Sequence, residues 1–265
     1  INKSIILEPK YYNAHLSRGF IKIAFGEIEE GMNDYNQAIK IDPNKPLAYF
    51  YKGLSYYDIN RYQESIEELN QAIKISPKNT LYYELLGKAK HFLDKDQEAI
   101  EDLNMSIDID PKNSDAFRYR GRAKYFSCRY QEALDDFSQA IKLDQNNADA
   151  FFYRGRTKAS LNRNEEAIDE INQAIILDPK NSYYYEVRGS EKYKLGRFFD
   201  AIEDYNYSIN IEPDNSNAFL LRGCSKYRLD RFKDAIEDFN QTIKLDPKNS
   251  DALRFRGHSH FDLIK

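Results

Sequence analysis

Eight glycines recur every 34 residues along the chain. They are Gly19, Gly53, Gly87, Gly121, Gly155, Gly189, Gly223 and Gly257. Seven of the eight prolines keep the same period, and Gln145 fills the one slot of their series that lacks a proline. A fixed period of this length is the mark of a repeat architecture. It directs the question of function away from a catalytic pocket and toward the surface that stacked repeats present.

The positions around each glycine define the repeated unit. A ring or another bulky group stands four residues before it, small side chains stand twelve and nineteen residues after it, and Ile stands twenty after it. Between these anchors the apolar residues keep helical spacing, as in the run from Ala133 to Leu143. Each unit is therefore predicted to be two helices. In the fourth unit, helix A is expected near Asp115–Ser127 and helix B near Tyr130–Leu143.

The glycines need a packing reason, because Gly inside a helix is about 1 kcal/mol less favourable than Ala. Without a Cβ, helix A can approach the small residues of helix B closely. The Asp-Pro pair that closes most units, as at Asp110 and Pro111, ends helix B. The Asn and Ser that follow, as at Asn113 and Ser114, favour a short turn and the cap of the next helix.

A 34-residue helix–turn–helix unit with this order of ring, Gly, small residues and Pro resembles the tetratricopeptide repeat, over essentially the whole chain. The resemblance implies an all-α fold, an α-solenoid in which antiparallel helix pairs wind as a right-handed superhelix. One domain, 1–265, is then predicted. Its seven full repeats are expected at 12–45, 46–79, 80–113, 114–147, 148–181, 182–215 and 216–249. Residues 1–11 are expected to end a preceding repeat, and residues 250–265 to form a helix A without its partner.

Charged residues also follow the period. Arg precedes six of the eight glycines and Lys stands three residues after six of them, where the family usually has Leu and Tyr. Two cations four residues apart on a helix repel by about 0.2–0.5 kcal/mol. An acid stands fifteen residues after each glycine of the full repeats, from Asp34 to Asp238. We predict a ladder of Arg–carboxylate pairs that joins helix A to helix B within or between units, since the guanidinium fork binds carboxylates bidentately. An anion site built from the same arginines is the alternative.

The bulk properties exclude several classes of function. A net charge of −4 and a pI of 5.7 give no basic footprint for nucleic acid. No apolar run approaches 18 residues, so no membrane span is expected. Cys128 and Cys224 lie almost three repeats apart, too far to form a disulfide. Free thiols agree with a reducing compartment, which is the one indication in favour of the cytoplasm.

The sequence offers no catalytic, metal or cofactor motif. There is no CxxC, HExxH or glycine-rich phosphate loop, and His15 and His91 fall in different repeats and phases. We interpret both histidines as packed or solvated. The four Asn-x-Ser/Thr sequons, at Asn2, Asn104, Asn206 and Asn240, share one phase of helix B. Their hydroxyls fall in the small packed slot, so no glycan is expected.

By the resemblance, ligands bind on a concave wall formed by exposed positions of the A helices. These lie two and three residues before each glycine and one, four and five residues after it. The first two full repeats place mainly apolar groups there, such as Phe20, Tyr51 and Leu54. The middle repeats place basic and aromatic groups there. The candidate binding residues are Lys88, His91, Arg118, Tyr119, Arg122, Tyr125, Phe152, Tyr153 and Arg156.

This pattern favours a protein or extended peptide that carries acidic or aromatic side chains, since Arg and Tyr are enriched at interface hot spots. An ordinary solvated helix face is the plain alternative. Some members of the family hold the C-terminal carboxylate of heat-shock chaperones with Lys and Asn at set places over three repeats. Here Arg118 is the one cation at the first of those places, and Arg122 stands where Asn is needed. Chaperone tails are therefore not expected as partners.

Several functions remain open. The first is a non-catalytic scaffold that holds a peptide or partner protein in its groove. The second is the regulatory or targeting arm of a larger enzyme. Neither end shows the polar capping helix of a solenoid, so we expect a piece of a longer protein. The third is nucleic-acid binding, which the acidic pI disfavours. Self-association through the uncapped ends is the fourth.

Overall fold

A computed structural model describes residues 11–265, and this part of the chain contains fifteen α-helices and no strand. The A helices are α1 (Tyr12–Ala24), α3 (Pro46–Asp58), α5 (Thr80–Phe92), α7 (Ser114–Phe126), α9 (Ala148–Ser160), α11 (Ser182–Lys194), α13 (Ser216–Arg228) and α15 (Ser250–Ile264). The B helices are α2 (Ile28–Ile41), α4 (Tyr62–Ile75), α6 (Asp96–Ile109), α8 (Tyr130–Leu143), α10 (Asn164–Leu177), α12 (Phe198–Ile211) and α14 (Phe232–Leu245). In the fourth repeat, helix B has the predicted bounds and helix A begins and ends one residue earlier than predicted.

The helices begin and end where the sequence predicts. Before α7, the Asn113 side-chain oxygen accepts a hydrogen bond from the Ala116 backbone N–H at 3.0 Å, which is the predicted cap. The turn from helix A to helix B needs one residue in the left-handed region, which Asn, Asp and Gly tolerate best. Six of the seven turns use one of these three residue types, and the fourth uses Cys128 at φ +59°.

The periodic glycines let the two helices of a repeat approach closely. A Cβ at Gly121 would lie 2.8 Å from Cε1 of Phe137 in α8. A Cβ at Gly87 would lie 2.6 Å from Cγ of Leu103 and 3.1 Å from the carbonyl oxygen of Ala99. Seven of the eight periodic glycines, from Gly19 to Gly223, therefore meet a bulky side chain sixteen residues later. Four of them, Gly19, Gly53, Gly87 and Gly155, also approach the backbone oxygen of the residue twelve positions later, which was predicted to face them.

The predicted Arg–carboxylate ladder is present, and it joins the two helices within repeats 1, 4, 5, 6 and 7. In repeats 2 and 3 the acid pairs with a lysine, Lys52 and Lys90 respectively. Arg18, Arg120, Arg188 and Arg222 each hold both oxygens of an aspartate sixteen residues later. The Lys of the same helix reaches the same acid, as at Lys124 Nζ, 2.7 Å from Asp136 Oδ2. The two cations therefore share one buried carboxylate, which offsets the repulsion between them.

Arginines of the same phase also bind an asparagine of the preceding repeat, and these Arg–Asn bonds were not predicted. Arg120 donates from Nη1 to the side-chain oxygen of Asn104 in the preceding helix B at 2.7 Å. Arg188, Arg222 and Arg256 make the same bond to Asn172, Asn206 and Asn240. Asn104, Asn206 and Asn240 are sequon residues, and the hydroxyl residues of those sequons, Ser106, Ser208 and Thr242, are fully buried as predicted. The sequon at Asn2 lies outside the described residues.

The chain divides into two compact units. The N-terminal unit extends to Leu143 and its core is built from apolar side chains of neighbouring pairs, such as Leu69 and Leu86. The C-terminal unit extends from Asp144, and its core includes Ile171 and Tyr184. The description of 1–265 as one domain stays a prediction. The expectation for 1–11 falls almost entirely outside the described residues.

The structure also describes the two cysteines and the apolar character of the helices. Cys128 and Cys224 are free thiols, as predicted, and burial raises the pKa of Cys224 to about 12. Within residues 11–265, none of the helices combines the length and apolar character needed to cross a membrane.

Candidate functional site

Three cations surround one tyrosine ring in repeats 3 and 4 of the N-terminal unit. Tyr119 lies on α7, two residues before Gly121. The Lys88 Nζ is 4.6 Å from the centre of the Tyr119 ring, and the guanidinium carbons of Arg118 and Arg122 lie 4.3 and 5.2 Å from it. At such distances a cation is attracted by the negative face of the ring. Lys88, Arg118, Tyr119 and Arg122 are named the cationic cluster below.

Two carboxylates lie within the cationic cluster. Lys88 Nζ donates a hydrogen bond to Glu84 and lies 3.6 Å from Asp115. Arg118 donates from Nη2 to Asp115 Oδ1 at 2.7 Å. Burial raises the pKa of Asp115, but the charges of Arg118 and Lys88 outweigh it and hold the pKa below its ordinary value. Three cations against two carboxylates leave a net charge of +1, so the surface is less basic than the sequence pattern indicates.

The cationic cluster rests on an aromatic layer supplied by repeats 2 and 3. Burial, together with a hydrogen bond to the Tyr119 hydroxyl, raises the pKa of Tyr57 far above its ordinary value. The Tyr57 ring packs against Tyr62 and Phe92, with centroids 5.5 and 5.8 Å away. Arg122 lies over Phe92 at 5.7 Å. These contacts fix the orientation of the ring around which the cations gather.

His91 and Tyr125 are the other two candidate binding residues of this unit. His91 is only 7% exposed, and its Nδ1 lies 2.5 Å from Asp96 Oδ1. Burial lowers the pKa of His91 against the opposing effect of Asp96, and Arg122 lowers it further. His91 is therefore a packed residue and is not exposed at the predicted wall position. Tyr125 is half-buried, and its ring lies 5.8 Å from that of Tyr130.

The three candidates of the C-terminal unit separate into core and surface. Phe152 is 2% exposed and stacks on Tyr184 with the centroids 4.6 Å apart, so it belongs to the core. Tyr153 and Arg156 are half-buried, and the guanidinium carbon of Arg156 lies 5.8 Å from the Tyr153 ring. It also lies 6.0 Å from the ring of Tyr183, an exposed residue that the sequence reasoning did not include.

A cavity of about 330 Å³ lies between repeats 1 and 2 of the N-terminal unit. Phe20, Ile23, Tyr51 and Leu54, all at predicted wall positions, form much of its lining. Asp58, at a wall position five residues after Gly53, is also part of the lining and was missed. The phase of Asp58 in the repeat was the signal that could have found it.

The repeat geometry is matched by sequence profiles of one family. Profiles described as TPR repeat match residues 21–60 and 53–94. Profiles described as tetratricopeptide repeat match 81–113, 119–182 and 220–263. The chain belongs to the tetratricopeptide repeat (TPR) family. TPR proteins commonly take part in protein–protein interactions, and the all-α fold of antiparallel helix pairs is that of the family. No curated protein sequence matches the chain significantly.

Solved TPR structures share the fold at low sequence identity. A tetratricopeptide repeat protein from Parabacteroides merdae is 18% identical with a TM-score of 0.71, over 94% of this chain and 98% of that one. PilF of Pseudomonas aeruginosa is also 18% identical with a TM-score of 0.71, over 80% of this chain and 97% of its own. YrrB, described as a TPR protein with an unusual peptide-binding site, is 18% identical with a TM-score of 0.58, over 70% of this chain and 96% of its own.

Proposed function

We propose that this TPR chain is a non-catalytic interaction module that binds an extended peptide segment of a partner protein on the A-helix wall of its N-terminal unit. The observation that carries the proposal is the gathering of Lys88, Arg118 and Arg122 around the Tyr119 ring. No packing need of the repeat accounts for this gathering, because the arginines that the repeat uses for its ladder stand one residue before the glycines. The cationic cluster stands at other phases.

The ligand chemistry follows from the charges and rings of the cluster. A net charge of +1 and half-buried cations favour a carboxylate, which Arg binds through paired N–H groups. The Tyr119 and Tyr125 rings offer large, rigid contact area to an aromatic side chain. The proposed segment therefore carries acidic residues next to an aromatic one. Glu84 and Asp115 hold the cations in place and disfavour a densely acidic ligand.

A charge-reversal experiment tests the proposal. The probe is a fluorescein-labelled, amidated peptide of alternating Glu and Tyr, followed by fluorescence anisotropy. We expect Lys88→Glu combined with Arg122→Glu to weaken binding about tenfold or more, because interface charges in partly desolvated sites matter most. Arg129→Glu and Arg163→Glu together make the matched control, since both arginines pair only across an exposed turn with Glu132 and Glu166. Equal affinity of the two double variants would refute the site.

A further inference from the structure

The cavity between repeats 1 and 2 combines an apolar lining with one carboxylate. Phe20 and Tyr51 meet edge to face with their ring centroids 5.8 Å apart, and Tyr51 stacks on the buried Tyr35 at 6.4 Å. Ile23 and Leu54 complete the apolar wall. Since ligand pockets run to about 300–1,000 Å³, a cavity of about 330 Å³ has room for one large side chain.

Among the described residues of the lining, Asp58 is the one acidic or basic residue. Among residues 11–265 no ion pair or hydrogen bond engages its carboxylate. Lysines of the same two A helices pair with other acids: Lys22 Nζ lies 2.8 Å from Glu30, and Lys52 Nζ lies 2.7 Å from Glu68. Asp58 is an exposed residue of the lining, so its negative charge is accessible to a group from outside the chain.

We propose that this cavity binds the side chain of an arginine or lysine of the partner, with its apolar stem against Phe20, Ile23 and Leu54 and its charged head on the Asp58 carboxylate. The proposal extends the proposed function, because the cavity and the cationic cluster lie in the same unit and at wall positions of its A helices. The partner segment would then carry a basic residue for repeats 1 and 2, and acidic residues for repeats 3 and 4.

Three properties of the site favour a cation over a purely apolar guest. Partial burial raises the pKa of Asp58, and an incoming cation would compensate the lost hydration of the carboxylate. The faces of Phe20 and Tyr51 attract cations. Long basic side chains also bury their methylene stems against apolar surface while keeping the charge at the rim. An aliphatic side chain would contact only the apolar walls and would leave the Asp58 carboxylate without an ionic partner.

The test uses acetyl-Ala-Arg-Ala-amide as the probe, with the citrulline tripeptide as a neutral isostere, and follows methyl NMR signals of the chain. We expect the arginine probe to shift the methyl signals of Ile23 and Leu54 in a saturable way, with the citrulline probe bound about fivefold more weakly. Asp58→Asn should reduce the affinity for arginine to that for citrulline. Glu67→Gln, an exposed acid on α4 outside the cavity, is the matched control and should change nothing.

Ala24→Phe provides a second variant, because Ala24 is an exposed member of the lining and a larger side chain there would fill the cavity. It should abolish the shifts without disturbing the core. Equal binding of the arginine and citrulline probes, full affinity of Asp58→Asn, or no saturable shift up to about 10 mM would each overturn the proposal. If the unmodified chain binds the arginine probe but does not bind the Glu–Tyr peptide, the proposed function is overturned and the arginine site is not.

Discussion

Arg120 and Asp136 form a bidentate ion pair that joins the two helices of the fourth repeat. Arg120 Nε donates to Asp136 Oδ2 at 2.9 Å and its Nη2 to Oδ1 at 2.5 Å. The carboxylate is 5% exposed, and Lys124 shares it. Because Arg120 also binds Asn104 of the preceding repeat, this single guanidinium ties three helices together. The repeat therefore stabilises its helix contacts with charge as well as with apolar packing.

Asp136→Ala should destabilise the chain strongly. It leaves Arg120 and Lys124, which are 17% and 11% exposed, without their counter-ion. Breaking a buried pair from one side costs about 3 kcal/mol or more in unfolding free energy. Urea unfolding followed by circular dichroism measures the loss. Glu132→Ala removes an exposed carboxylate of the same repeat and should cost far less; similar losses for the two variants would contradict the ladder.

Two glycine substitutions should have opposite signs. At Gly121 a Cβ would press on the Phe137 ring 2.8 Å away, whereas at Gly257 it would meet nothing within 4 Å among the described residues. Overpacking costs about 1–3 kcal/mol, and Ala is about 1 kcal/mol better than Gly in a helix. We expect Gly121→Ala to lower the thermal midpoint and Gly257→Ala to leave it unchanged or raise it. The same sign for both would show that the glycines are not close-contact positions.

Stability should fall as the pH falls below the ordinary His pKa of about 6.5, in part because of His91. Burial lowers the pKa of His91 in the folded chain, so the unfolded chain binds its proton at a higher pH. Above the pKa that His91 has in the unfolded chain, its titration costs no stability. As the pH falls below that pKa, the folded chain loses stability progressively. His91→Gln should make the urea midpoint depend less steeply on pH between pH 7 and pH 5.5. His260→Gln, at an exposed histidine, should leave the slope as it was.

Phe152 and Arg156 should differ in how much each contributes to stability. Phe152 is buried and stacked on Tyr184, so Phe152→Ala should cost about 3–5 kcal/mol in unfolding free energy. Arg156 is half-buried over surface rings, and Arg156→Ala should change stability by less than about 1 kcal/mol. Thermal midpoints of the two variants measure the difference. A tolerant Phe152→Ala would place that residue on the wall and not in the core.

Most of the fold could be predicted because the 34-residue period repeats its constraints many times. The helix bounds of the fourth repeat, the cap at Asn113 and the Arg–Asp ladder all follow from residues that recur in phase. The link between Arg120 and Asn104 was missed because it joins neighbouring repeats, and a pattern read within one repeat does not show which side chains meet across the next.

The candidate site was less predictable, because phase gives the face of a helix and not the depth of a side chain. His91 and Phe152 share wall phases with exposed residues, yet their neighbours from adjacent helices bury them. The carboxylates of Glu84 and Asp115 were also overlooked as partners of the cationic cluster. Glu84 stands four residues before Lys88 and Asp115 three residues before Arg118, so helical spacing was the signal that could have found these pairs. The contact of Lys88 with Asp115 joins two repeats, which spacing alone does not encode.

The central claim is that the cationic cluster of repeats 3 and 4 contacts the partner segment. The most direct measurement is the NMR shift of arginine side-chain Nε–Hε signals while the Glu–Tyr peptide is titrated into the isotope-labelled chain. The account predicts that the signals of Arg118 and Arg122 shift and saturate together, while that of Arg129 stays in place. Saturable binding that leaves Arg118 and Arg122 unshifted would contradict it.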